Sequence, residues 1–144
     1  MSNLDVAHKG IRAFEANDHA MVNSLIADDF TLSGAVPQTL GKQEFMGFMQ
    51  AMLTAFPDFK FNETLREEGA DKVIITQHIT GTHTGTLALP GMPPIPATGK
   101  KFALPEEHQV FTIKDGKFVK SEGEVVPGGG VMGMLAQLGV NLPG

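Results

Sequence analysis

The stretch KVIITQHITGTHTGTLALPGMPPIPATGKKFALPEEHQVFTIKDGKFVKSEGEVV, residues 72–126, decides the fold. Its spacing predicts three long strands, Lys72–Thr82, Lys101–Lys114 and Lys117–Val126. A short strand at Thr84–Leu87 and a proline-laden loop at Leu89–Gly99 separate the first two. In the first strand Val73, Ile75, Gln77, Ile79 and Gly81 share one face, which His83 continues, while Ile74, Thr76, His78, Thr80 and Thr82 take the other. In the second, Gln109, Phe111 and Ile113 oppose His108, Val110 and Thr112. Asp115-Gly116 makes a two-residue hairpin turn. The third strand then sets Val119, Ser121, Gly123 and Val125 against Phe118, Lys120, Glu122 and Glu124. A sheet with one apolar face needs a cover.

The N-terminal part supplies it. Leu4, Ala7, Ile11 and Phe14 fall on one helical face with Asn3 as the expected cap. Asp18 caps a second helix in which Met21, Val22 and Leu25 share a face, and Phe30-Thr31-Leu32 forms a short strand. Lys42–Phe56 is the strongest helix, carrying Phe45, Phe48, Met49, Met52 and Phe56 on a wide apolar stripe until Pro57 stops it. Phe59–Glu68 alternates as a half-buried antiparallel strand. Glu63 lies on its apolar side between Phe61 and Leu65, where a carboxylate needs a partner or a proton. At the other end, Gly128–Gly130 is a connector without the lysine of a phosphate loop, and Val131, Met134, Leu135 and Leu138 form a closing helix ended at Gly139.

A chain of 144 residues fits one domain, 1–144, with room for a real core, and 42% apolar with 19% charged residues argues against disorder. The net charge of −5 and the scattering of the 11 basic residues argue against nucleic acid or an anionic membrane as partner. The absence of cysteine excludes disulfides and thiolate metal sites. His78 and His83 fall on opposite strand faces, so no histidine metal site is expected. The opening MSNLD lacks the pattern of a signal peptide, and no apolar run approaches the ~20 residues of a membrane helix. A soluble cytoplasmic protein is the expectation.

Ten Phe and eight Met, with no Trp and no Tyr, predict a pocket that is greasy and adaptable. The candidate lining residues are Phe14, Phe30, Phe48, Met52, Phe61, Glu63, Ile79, Met92 and Phe111. Met92 belongs to the loop stiffened by Pro90, Pro93, Pro94 and Pro96, which suits a rim over a cavity mouth or a packing surface for a neighbouring subunit.

The ordered set Phe56-Pro57-Asp58, Gly81-Thr82-His83-Thr84-Gly85, Gly91-Met92-Pro93-Pro94, Thr98-Gly99-Lys100, Asp115-Gly116-Lys117 and Gln137-Leu138-Gly139 resembles the SnoaL-like polyketide cyclases, within the nuclear-transport-factor-2-like superfamily. The likeness runs from about Leu4 to Gly139. It implies a cone-shaped α+β barrel, a curved mixed sheet closed by three N-terminal helices over a deep apolar pocket. It also implies a homodimer or homotetramer assembled through the outer face of the sheet. The chemistry it implies is an intramolecular aldol ring closure without metal or cofactor, using an Asp on the last strand and a His on its neighbour.

The Asp position falls here at Gly123, and the His position at Gln109 with His108 one residue away. A bulge at Gly123 would bring Glu122 or Glu124 into the pocket; without one, both face outward. The candidate catalytic residues are therefore Glu122 and Glu124, with His83, His108 or Gln109 as donor to an enolate oxygen and Glu63 in reserve. One expected function is acid–base cyclisation or isomerisation of a small hydrophobic carbonyl compound. Another is a non-catalytic module that binds a hydrophobic small molecule, and a third is an oligomerisation scaffold. Ketosteroid-isomerase and limonene-epoxide-hydrolase chemistry both rest on a Tyr, which this chain lacks.

Overall fold

The computed structural model describes residues 2–34 and 36–140. Helix α1 (Asn3–Glu15) is capped by Ser2 and not by Asn3: Ser2 Oγ accepts from Asp5 N, and the Asp5 carboxylate accepts from Ser2 N, each at 3.1 Å. Helix α2 (His19–Leu25) starts at Asp18, whose side chain accepts from Met21 N at 3.1 Å. Strands β1 (Ile26–Ser33) and β2 (Leu40–Gly41) lead into α3 (Lys42–Ala55), which stops just before Phe56-Pro57.

The strands are shorter than alternation alone predicts. After β3 (Thr64–Glu68), the first long strand divides into β4 (Lys72–Gln77) and β5 (Thr80–Thr82). The second divides into β6 (Lys101–Ala103) and β7 (Glu107–Lys114). Pro105 stands in that second gap, with no N–H to give to a ladder. Leu104 N donates to Ile79 O at 2.8 Å between the two breaks, so both strands change direction together. Phe59–Asn62 makes only a bridge, Lys60 to Thr80, because Asn62 takes a left-handed turn at φ 50°. The Thr84–Leu87 strand is likewise a single bridge, Leu87 to Ile95.

Strand β8 (Lys117–Gly123) and helix α4 (Gly130–Gln137) complete the chain. Six strands form one sheet in the order β2-β1-β8-β7-β4-β3, with β1 parallel to β8 and every other pair antiparallel. Strands β5 and β6 pair separately. The expected barrel is therefore corrected to an open, curved sheet: its edge strands have two and five residues and do not pair with each other. Four helices among the described residues, and not the three N-terminal ones alone, pack on the core of Phe, Met, Leu and Ile.

The register between β7 and β8 settles which acids face inward. Ile113 pairs with Phe118 but Thr112 with Lys120, so Val119 is an extra residue on β8. That bulge brings Phe118 onto the same buried side as Ser121, against the expected alternation. Beyond it the pairing is regular: Phe111 to Ser121, Val110 to Glu122, Gln109 to Gly123. The bulge lies at Val119, and the strand runs straight into Gly123.

Candidate functional site

An apolar cavity of about 150 Å³ lies between the sheet and the helices. Helix α1 contributes Ile11 and Phe14, α2 contributes Val22 and Leu25, and α3 contributes Phe45, Phe48 and Met52. Phe30 and Leu32 of β1, Phe61, Ile79, Phe111 of β7 and Phe118 of β8 form the opposite wall, and Val131 and Met134 of α4 cover one end. The rings brace each other edge to face, Phe30 on Phe45 and Phe14 on Phe61, both with centroids 5.2 Å apart. Of the expected lining residues, Phe14, Phe30, Phe48, Met52, Phe61, Ile79 and Phe111 stand in these walls. Glu63 does not; its carboxylate is paired with Arg12 of α1. Met92 stays in the proline loop, partly buried, with its N–H on Leu89 O at 3.3 Å.

Four polar side chains interrupt the apolar lining: Gln77, Glu107, Gln109 and Ser121. They come from β4, β7 and β8, and the register sets them side by side, Gln77 opposite Glu107 and Gln109 diagonal to Ser121. Gln109 Nε2 donates to Ser121 Oγ. Glu107 is 2% exposed. Its Oε2 accepts from the Gly130 amide at 3.0 Å, and its Oε1 has no hydrogen-bond partner among the described residues. Gln77 is 4% exposed, and its Oε1 also lacks a partner among the described residues. Burial pushes the Glu107 carboxyl above its ordinary value of 4.5, the Gly130 amide opposes that rise, and the nearby Glu124 carboxylate adds to it.

The residues expected to be catalytic do not assemble here, apart from Gln109. Glu122 and Glu124 are exposed on the other face of the sheet, because the register past Val119 is unbroken and Gly123 alone takes the inward position. His108 is exposed beside them, with its Nδ1 2.9 Å from Glu124 Oε1. His83 is fully buried but packs against Phe56 outside the cavity wall. Thr98 N donates to its Nδ1 at 3.2 Å, which leaves the proton of the neutral ring on Nε2, and burial lowers its pKa. His83 also ties down the loop behind it, giving its amide to Lys100 O and taking Gly99 N, each at 2.8 Å.

The acid in the cavity is one that the sequence analysis passes over. Glu107 follows the alternation of Gln109, Phe111 and Ile113 one step further toward the N-terminus, so its inward position was legible. Ser121 and Gln77 stand on the faces that alternation predicts, and nothing in the sequence alone marks either for a role. Among the described residues no group of three or more His, Asp or Glu is placed to hold a metal ion. Nor is any helix among them long and apolar enough to cross a membrane.

This is a mixed α+β fold in which a curved sheet and helices enclose an apolar cavity, and solved structures share it. A polyketide cyclase by assignment from Pseudomonas putida KT2440 superposes with a TM-score of 0.73 at 17% identity, covering 95% of this chain and 98% of that one. A protein assigned as a SnoaL-like polyketide cyclase from Jannaschia sp. CCS1 gives 0.74 at 15% identity, with 97% and 93% covered. A protein of ketosteroid isomerase-like fold from Catenulispora acidiphila DSM 44928, solved with trimethylamine, gives 0.68 at 14% identity, with 98% and 96% covered. At these identities the likeness is one of fold. No curated protein matches the sequence. The family model for SnoaL-like polyketide cyclases matches residues 5–125, and the chain belongs to that family.

Proposed function

We propose that this protein performs acid–base chemistry, without a cofactor, on a small hydrophobic carbonyl compound held in the cavity, with Glu107 moving the proton. The observation that carries this is the state of the Glu107 carboxyl: buried in the cavity lining, held by the Gly130 amide at one oxygen, and without a hydrogen-bond partner among the described residues at the other. An apolar site raises a carboxyl's pKa toward the working pH, which suits it to take a proton from carbon and return it. Family membership supports a cyclase-type or binding role at that general level.

In the proposed reaction ionised Glu107 removes a proton α to the carbonyl through Oε1, while the Gly130 amide stays on Oε2. Negative charge then moves to the substrate oxygen. Ser121 can meet it, since its own oxygen already accepts from Gln109 and its proton is free to donate. Returning the proton to another carbon gives isomerisation. Attack of the enolate carbon on a second carbonyl of the substrate gives ring closure, with the Glu107 proton passing to the new alkoxide. Protons balance in both cases.

A second reading, a binding module of the same fold, draws on the other polar groups: Gln77, Gln109 and Ser121 do not titrate near neutrality, so Glu107 alone in the cavity can exchange a proton. Exchange of α-protons in D2O, followed by NMR with cyclohexenone and cyclic 1,3-diketones, separates the two. Wild-type protein should accelerate exchange, and Glu107→Gln should slow it by ~10²-fold or more. Exchange that survives Glu107→Gln would refute the assignment, and bound guests that never exchange would favour the binding module.

A further inference from the structure

Among the described residues the most exposed large apolar side chains are Val125, at 81%, and Met132, at 52%. They do not stand apart: both line one surface groove of about 130 Å³, with Pro37, Val126 and the backbone at the start of α4. Val36 and Gly130 line this groove and the inner cavity as well, so the two spaces meet at one valine and one glycine. Single exposed apolar residues are ordinary, but a pair in a groove that continues into a cavity marks a place for a ligand. We propose that the groove holds the outer half of the substrate, so that the protein acts on an elongated ketone. Its carbonyl end is a single ring in the inner cavity, and its other end is a second apolar group lying between Val36-Pro37 and α4. This rests on the proposed function: it takes the same cavity and adds what lies beyond the reacting end.

Polarity decides which end goes in. Gln109 and Ser121 line the inner cavity, and Gln109 spends one N–H on Ser121 Oγ. The second Gln109 proton and the Ser121 hydroxyl proton are left to give to a carbonyl oxygen. In the groove the polar side chain among the described residues is Glu124, whose Oε1 lies 2.9 Å from His108 Nδ1. The amides of Gly129 and Gly130 are already given, to Val126 O and to Glu107. A carbonyl in the groove would meet an ionised carboxylate and no free donor, whereas an apolar group would cover Val125 and Met132.

Size points the same way. The inner cavity, about 150 Å³, is the volume that holds roughly one benzene ring. The groove is slightly smaller, and the two together come close to the ~300 Å³ at which sites for drug-sized ligands begin. A one-ring guest would fill the inner space and leave both exposed side chains in water.

Calorimetric titration of the intact protein with cyclohexanone and 4-phenylcyclohexanone tests this. The phenyl group should tighten binding to the wild type about tenfold or more, as burying an aromatic ring does. Val125→Ser combined with Met132→Ser changes two exposed positions, so the variant should fold. In it the phenyl gain should drop below about threefold while cyclohexanone affinity stays within about twofold. Equal binding of the two ketones to the wild type overturns the proposal, as does a full phenyl gain in the double variant or the failure of both ketones to bind. Sedimentation of both proteins covers the rival occupant: a wild-type dimer that the serines dissociate would mean that a second copy fills the groove, and it too overturns the proposal. The outcome is separable from the fate of the acid–base reading. Exchange of cyclohexanone α-protons with no phenyl gain sinks this inference alone; a phenyl gain that the serines erase, without exchange, sinks only the enzyme.

Discussion

The carboxyl of Glu107, on β7, takes the first backbone amide of α4, Gly130 N–H, at 3.0 Å. One hydrogen bond thus joins the middle of the sheet to the helix that covers the end of the cavity. The open end of a helix favours negative charge, while the apolar cavity disfavours it. Burial is the larger effect, and the carboxyl's pKa is raised.

A raised carboxyl pKa makes the fold hold its proton more tightly than the unfolded chain does. The stability from neutral Glu107 is fully present below the unfolded value of 4.5 and is lost as pH rises through the higher folded value. Glu107→Gln keeps an acceptor for Gly130 and cannot ionise. Its melting temperature relative to wild type should therefore improve steadily as pH is raised from 4.5. A difference that stays flat with pH, or moves the other way, would show that Glu107 is not buried in this manner.

Gly129 precedes α4 at φ −98°, a backbone any residue can adopt. A Cβ there would stand 2.5 Å from Val126 Cγ2 and 2.9 Å from Glu107 Oε2. Gly129→Ala should cost about 1–3 kcal/mol in urea unfolding, the usual range for overpacking. By displacing the carboxyl it should also lower α-proton exchange. Unchanged stability and unchanged exchange together would mean that the helix start is not packed as described.

His83 is expected to support the fold and not the chemistry. Burial lowers its pKa below 6.5, so the neutral ring is the folded form; its stabilisation is complete above 6.5 and is lost as pH falls toward the folded value. His83→Gln should weaken the fold at neutral pH yet lose less on acidification than wild type does. Bound-ligand affinity at neutral pH should change less than about threefold, since the ring lies outside the cavity wall. A large loss of affinity in a folded His83→Gln protein would place the ring in the site.

Glu122→Gln and His108→Gln should leave α-proton exchange unaltered, and Glu124→Gln should change it by less than about tenfold, since the Glu124 carboxylate adds only a smaller part to the rise that burial causes at Glu107. The His108–Glu124 pair is about half exposed on both sides, so its loss should cost no more than ~1 kcal/mol in thermal or urea unfolding. A tenfold drop in exchange from either glutamate change would restore the inward acid that Gly123 was expected to permit.

Local pattern alone determined much of this protein. Helical spacing in 42–56 and alternation in 73–77 and 108–113 are properties of short windows, and they sufficed for α3, for the inward faces of β4 and β7, and for the Phe and Met residues of the cavity walls. The family was legible from ordered turns and loops, whose glycines and prolines keep their backbone demands wherever they occur. Alternation carried two residues further, from Gln109, would have reached Glu107.

Only the tertiary structure decided which acid enters the cavity. That choice depends on three things no single window contains: the break at Pro105 that starts β7 at Glu107, the extra residue at Val119, and the docking of α4 so that Gly130 meets the carboxyl. A strand's side chains change face with every one-residue shift in pairing, and pairing is a property of two strands together. For that reason Glu122 and Glu124 could be named from the sequence but not aimed, and Gln77 opposite Glu107 emerged only once the strands were laid side by side.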